Sequence, residues 1–504
     1  MPNPKPMNSE NNLHTGVRQR LRGNLADTGD FYFLDDPEQT RFRTYQSALD
    51  NLTGEFAVDP VALCEFSGHY TFYGNRTLLK TVRRTDTVMP PYPSDHIQKS
   101  NDFYSKQHLG VSAIAEKFTH LLIEETKNRL KGCQHVGILL SGGMDSRITA
   151  AVLRELQNAG WDFKVTCFTW GKPETRDPIY AKRIADKYNW TFEHFEIDHE
   201  VLWENVNEAA RLGCFCSAQH LHAMPAVAKK AGELGVDIMV AASYGDSIGR
   251  GEYSRIHVSQ LADIRGRIRN WYGLINKAAF VESKSKSRSE IERAWRAFGI
   301  TSAAARPEVD QQIHYMRNML GSAMSVIDEV VPLAQAFTSW PVVGFMWSLA
   351  PSCRTDAVYY QVLNELDPSL LDIPWARTGR LYQSQGSIQP DNIQSSFHEY
   401  GRWTRMNLSR LEETIYQGAL VRGEIFDVNA LNAIFYALKH FKAVQSGRLI
   451  EISLWLASLS IFLESRDITL PCSAKKTFGF SVMPKLELAG TIVRQYKANK
   501  GVNK

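Results

Sequence analysis

Between residues 110 and 245 the hydrophobic pattern changes period several times. Short continuous apolar runs at 136–140, 164–169, 191–197 and 237–242 predict buried strands. Between them, apolar residues three and four apart predict helices at about 111–130, 147–158, 177–188 and 220–234. Strands alternating with helices at this spacing predict an α/β fold, a doubly wound parallel sheet with ligands at the carboxyl ends of its strands. Before it, residues 1 to about 20 are polar and rich in Pro and Asn, which predicts a loosely held tail. From about 30 to 100, apolar runs at 31–34 and 70–73 alternate with turn residues and end in Pro90-Pro91-Tyr92-Pro93, predicting a small α+β segment and a linker. Residues 282–293, with Lys284, Lys286 and Arg288 among serines, predict the solvated face of a surface helix. Beyond 305 the chain reads as mostly helical, with a Gln- and Ser-rich loop at 383–396. The apolar stretch 449–463 is short of the roughly 20 residues that span a bilayer and predicts a buried helix.

Composition narrows the partners. The chain has 504 residues, 43% apolar and 22% charged, which fits a globular protein of about two packed units. Its 58 basic and 54 acidic residues give a net charge of +4, too balanced to suggest a nucleic-acid partner. Seven thinly spread cysteines argue against a disulfide framework and for reduced thiols in a cytoplasm. The first residues contain no signal-like apolar run, and no membrane association is expected.

The chemistry concentrates in Ser141-Gly142-Gly143-Met144-Asp145-Ser146, between the strand at 136–140 and a helix. Gly142 and Gly143 would let the backbone approach an anion, while Ser141, Ser146 and the helix amino terminus would point donors at phosphate oxygens. An aspartate in an anion site makes sense if a cation such as Mg2+ links it to the phosphates. The Gly-Lys-Ser/Thr ending of a Walker loop is absent, so the expected cleavage differs from that of kinases.

These residues resemble the synthetase domain of the asparagine synthetase family, whose Ser-Gly-Gly-x-Asp-Ser loop binds ATP and whose members release AMP and pyrophosphate. The resemblance extends through 168–185, through the acidic Gly-rich segment Tyr244-Gly245-Asp246-Ser247-Ile248-Gly249-Arg250-Gly251, and through 336–351, 373–379 and 449–463. It covers about residues 48–465. It implies an ATP-pyrophosphatase type of sheet within a synthetase unit at 105–470, the nucleotide sheet at about 110–260 and a helical part at about 305–470. Outside it lie a truncated glutaminase-like remnant within 1–100 and a tail at 471–504. It also implies ATP contacts from Leu139, Ser141, Gly142, Gly143, Asp145, Ser146, Phe168, Thr169 and Gly245, and Mg2+ held by Asp145 and Asp246.

Departures from the family shape the expected activity. Pro2 stands where glutamine-dependent members expose a cysteine, and residues 48–92 resemble only the last part of their glutaminase domain. The chain is therefore expected to lack its own glutaminase activity and to use free ammonia, ammonia from a separate subunit, or an amine. Asp246-Ser247 replaces an Asp-Glu pair, and Ser339 replaces an aspartate. Tyr244 resembles the catalytic tyrosine of β-lactam synthetases; it is either a base, helped by Asp328 or Glu329, or an aromatic packing at a strand end. Arg377 stands near the family's charge-stabilising lysine, and the alternative for it is a surface ion pair. Cys214, Cys216, His220 and His222 are too closely spaced for a usual zinc site, and His220 or His222 is the better candidate for touching substrate. The basic residues of the C-terminal tail predict a solvated end. The expected function is an ATP-dependent carbon–nitrogen ligase acting on a small-molecule or peptide carboxylate. A lactam-forming cyclase, a degenerate nucleotide-binding scaffold and a transfer-RNA-modifying ligase are the alternatives.

Overall fold

The computed structural model describes residues 12–21, 24–25, 32–34, 41–53, 56–86, 103–106, 109–253, 256–261, 268–382, 390–423, 425–441, 447–468 and 470. The expected linker at 90–93, the first half of the loop at 383–396 and the tail at 471–504 lie outside them. Among the described residues no helix is long and apolar enough to cross a membrane.

The amino-terminal part corrects the expectation of a tail. Asn12–Leu21 is a helix whose Val17 and Leu21 are completely buried. Leu13, Val17 and Leu21 recur every fourth residue and make one apolar stripe, which the polar composition around them masks. Arg18 ties the helix down by donating to the Asp328 carbonyl at 2.6 Å. Next comes a three-stranded antiparallel sheet in which β1 (Tyr32–Leu34) lies between β2 (Arg41–Phe42) and β3 (Val82–Arg84). The helix Pro60–His69 starts at Asp59, whose side chain accepts from the Val61 N–H, with Pro60 in the first turn.

The main sheet follows the expected pattern, with strand ends shifted by one or two residues. β4 (His135–Leu139), β5 (Lys164–Trp170), β6 (Thr191–Phe195) and β7 (Ile238–Ala241) are joined, after the short hairpin of β8 (Glu252–Tyr253) and β9 (Ile256–His257), by β10 (Leu333–Gln335). All five pair in parallel in the order β10-β7-β4-β5-β6. From β4 the chain runs outward to β5 and β6, then returns to the other side of β4 for β7 and β10. The connections therefore diverge between β4 and β7, and a crevice opens at the carboxyl ends of those two strands.

Of the expected helices, Val111–Leu130 has the bounds predicted, and Arg176–Tyr188 begins one residue earlier. The expected helix at 220–234 is split into a 3-10 turn, Ala218–Leu221, and the helix Met224–Glu233. The helix after β4 begins at Met144, so Asp145 and Ser146 occupy its first turn. The helix His199–Arg211 and the three-residue strand β10 were also not expected. The polar stretch at 282–293 belongs to the helix Lys277–Ala297, which buries Phe280, Ser283, Ser287, Ile291 and Ala294 and exposes the charged face. Further on, Gln311–Leu320 is wound as a π-helix, and the apolar helix Arg448–Ser465 is buried along nearly all its length.

Candidate active site

A cavity of about 300 Å3 opens at the β4–β7 crevice. Leu139, Leu140, Ser141, Asp145 and Ser146 line it from β4 and its loop, Thr169 and Trp170 from the end of β5, and Ala242, Ser243 and Asp246 from beyond β7. Asp177, His222 and Phe397 complete the wall.

The loop is knitted to itself. The Ser146 hydroxyl donates to the Ser141 carbonyl at 3.1 Å, the two serine hydroxyls lie 3.0 Å apart, and the Ser141 and Gly143 amides donate to Ser146 Oγ at 3.2 Å and Ser141 Oγ at 3.1 Å. The Gly142 amide donates to Asp177 Oδ1 at 3.0 Å. Three loop amides expected to face an anion are thus engaged within the protein. The donors left for phosphate are the first-turn amides of Met144–Asn158, together with serine hydroxyls that can turn outward. Gly142 is required by packing: a Cβ there would lie 2.8 Å from Ala376 Cβ and 3.0 Å from the Tyr180 ring.

Asp145 and Asp246 come together around two arginines. Arg250, almost wholly buried, is ion-paired to Asp246 and lies 3.8 Å from Asp145, 3.0 Å from Asp356 and 3.8 Å from Glu252. Arg377 reaches Glu252 at 2.8 Å and Asp246 at 3.2 Å, with its guanidinium 4.5 Å from the centre of the Trp375 ring. Four carboxylates around two guanidinium groups leave the cluster net negative. Burial pushes the Asp145 carboxyl above its usual range, against the pull of Arg250. Asp145 Oδ1 is buried without a hydrogen-bond donor, and a hard cation would satisfy it. The donor set therefore fits Mg2+ through Asp145. Asp246, whose two oxygens are paired to Arg250 and Arg377, joins only if it releases one of them, and among the described residues no three His, Cys, Asp or Glu side chains are grouped to hold a metal.

Other expected residues are placed differently. Tyr244 is fully buried and outside the cavity wall; its hydroxyl donates to the Met316 carbonyl at 3.0 Å. The neighbouring Ser243 faces the cavity instead. The two proposed helpers have partners of their own. Asp328 accepts from Arg43 and the Leu333 amide, and Glu329 pairs with Arg211. Phe168, within β5, is turned into the core, stacked near Phe195, while the next residue, Thr169, lines the cavity. Gly245 carries no cavity wall but is required beside Asp145, whose carboxylate a Cβ there would strike. Ser339 is buried at the start of the helix Trp340–Ser348, a structural position.

The Cys-His stretch does not assemble a metal set. Cys214 and Cys216 are buried thiols, His220 sits 2.9 Å from Glu451, and His222 faces Tyr400 at 2.6 Å. Of the two histidines, His222 lines the cavity. Sequence reasoning passed over Arg250, Asp177, Trp170, Ser243 and Phe397. Arg250 and Trp170 sit inside segments that carried the resemblance, so their adjacency to the loop was a usable signal; Phe397, from a distant loop, had none.

Part of the chain is similar to known proteins. A family model described as asparagine synthase matches residues 117–335. The glutamine-hydrolysing asparagine synthetases of Homo sapiens and Pongo abelii are each 30% identical over 88 residues, which is 17% of this chain and 15% of theirs. The chain thus matches less than a sixth of the length of those relatives. Among solved structures, NAD+ synthetase from Burkholderia pseudomallei is 13% identical, with 56% of this chain and 97% of that chain covered and a TM-score of 0.21. The U34-tRNA thiolase NcsA of Methanococcus maripaludis is 12% identical, with 43% and 78% covered and a TM-score of 0.22. Residues 117–335, which hold the phosphate loop and all five strands of the main sheet, are an asparagine synthase-family synthetase domain.

Proposed function

We propose that the chain is an ATP-dependent carbon–nitrogen ligase that activates a carboxylate as an acyl-adenylate. A carboxylate oxygen attacks the α-phosphorus of ATP, the bond to the β-phosphate oxygen breaks, and pyrophosphate leaves. Ammonia or an amine then attacks the acyl carbon, AMP leaves, and the nitrogen loses a proton. The observation that carries this reading is the Ser141–Ser146 loop on the wall of a cavity at the β4–β7 crevice, beside the buried, donorless Oδ1 of Asp145.

In this reading the first-turn amides and the hydroxyls of Ser141 and Ser146 orient the triphosphate. Mg2+, when bound, offsets phosphate charge, with Asp145 as its protein ligand and Asp246 as a second once freed from arginine. Arg250 and Arg377 stand where negative charge grows on the departing pyrophosphate and stabilise it electrostatically. The buried Tyr244 hydroxyl has no place in this scheme, so nothing particular to the site favours a lactam-forming cyclase. Ammonia from a separate subunit, free ammonia and an amine substrate all remain suitable nucleophiles, and the acid is a small molecule or a peptide.

Carboxylate-dependent exchange of labelled pyrophosphate into ATP tests the reading without knowledge of the nucleophile. Screened over a panel of amino acids, peptides and aromatic acids, the wild type should show exchange with at least one member. Asp145→Ala and Arg250→Gln should each lower it by 100-fold or more. Exchange with no acid across the panel, by protein that binds MgATP, would favour the scaffold reading.

A further inference from the structure

The cavity has two chemically different ends. Around Ser141, Asp145 and Asp246 it is polar and charged; around Thr169, Trp170, His222 and Phe397 it is aromatic, and among the described residues no lysine or arginine lines it. His222 stacks on Trp170 with centroids 5.5 Å apart and planes at 17°, and Phe397 lies 5.9 Å from the His222 ring. The histidine is held in a costly backbone conformation, φ 49° and ψ −121°, with its carbonyl fixed by the Asn205 side chain at 2.7 Å. A bulky residue persists there only when its surroundings over-determine it.

The ring is fixed as well. Its Nδ1 lies 2.6 Å from the Tyr400 hydroxyl, and Tyr400 has no other hydrogen-bond acceptor among the described residues. The phenol therefore donates to Nδ1, and the imidazole proton sits on Nε2. Burial, with His398 and His220 nearby, holds His222 down to about 3, so the ring is neutral near pH 7. The result is a fixed, uncharged N–H donor on an aromatic wall.

We propose that His222, with its tautomer set by Tyr400, reads the nucleobase of ATP by donating its Nε2–H to a ring nitrogen of adenine lying against Trp170 and Phe397. This rests on the ATP reading above. A triphosphate belongs at the loop, so the planar, uncharged base takes the aromatic end, where a carboxylate would meet no cation. Adenine offers an acceptor at N1, whereas guanine places an N–H there, so an Nε2–H aimed at N1 discriminates between the two. His222 is a specificity-determining residue in this account, and Tyr400 is its positioning residue.

The test measures binding of α,β-methylene ATP, α,β-methylene GTP and inorganic tripolyphosphate, each with Mg2+, to the wild type, His222→Phe and Tyr400→Phe. His222→Phe keeps an aromatic ring but loses the donor. It should bind the ATP analogue about 10-fold more weakly, lose discrimination against the GTP analogue, and keep its affinity for tripolyphosphate. Selective 15N-histidine spectra should show the Nε2–H form of His222 in the wild type and its loss in Tyr400→Phe, a change that altered packing alone would not produce. His222→Phe binding the ATP analogue like wild type, or weakening tripolyphosphate equally, would overturn the proposal. Wild-type protein that binds tripolyphosphate but shows no base preference would overturn it while leaving the phosphate loop intact. If wild type binds none of the three, the ATP reading itself fails and takes this proposal with it.

Discussion

At the scale of single residues, the site buries carboxyl groups, and Asp177 shows the consequence. Its carboxylate accepts from the Gly142 amide, yet burial raises it from 3.8 to about 6. A raised acid binds its proton more tightly in the folded state, so the destabilisation from ionising it is absent below 3.8, grows between 3.8 and about 6, and is complete above that. Asp177→Asn keeps the acceptor for Gly142 and removes the titration. Its Tm relative to wild type should therefore rise as pH increases from 4 to 7; a difference that stays constant with pH would contradict the assignment. Much of the site was legible at this scale, because Ser141, Asp145, Ser146, Thr169 and Asp246 do line one cavity. Tyr244 and Phe168 were not, since a resemblance fixes a position along the chain but not which way its side chain turns, and both side chains are buried in the core. Arg250 escaped because its importance lies in four carboxylates, of which Asp145 and Asp356 come from distant parts of the chain.

Among the elements, long periodic segments were read with bounds close to those observed, and short or diluted ones were missed. β10 has three residues, too few to show a period, and is a strand only because β7 offers an open edge. The helix His199–Arg211 buries Leu202, Val206 and Ala209, but charged residues interleave with that stripe. The amino-terminal helix failed for the same reason, and its contribution is measurable. Leu21 is completely buried, so Leu21→Ala should cost about 2–5 kcal/mol by analogy with other core truncations. The expected readout is a lower urea midpoint and Tm with an unchanged far-ultraviolet spectrum at low temperature. Unchanged stability would mean that the segment does not pack as described.

For the whole molecule, the parallel sheet follows from alternating strands and helices, and its switch point at β4–β7 places a crevice beside the phosphate loop. The helical part supplies Arg377 and Phe397 to that crevice, so the site is finished by residues more than 200 positions from the loop. No local pattern announces such a contribution, which is why the loop could be read from sequence and the opposite wall could not. The central claim is that this crevice takes a magnesium nucleotide through Asp145. It is tested most directly by thermal unfolding with Mg2+ and α,β-methylene ATP, comparing wild type with Asp145→Ala. At about 100 times the dissociation constant the ligand should stabilise the wild type by roughly 2.7 kcal/mol, seen as a raised Tm, and leave the variant nearly unmoved. An equal shift in both proteins, or none in the wild type, would contradict it.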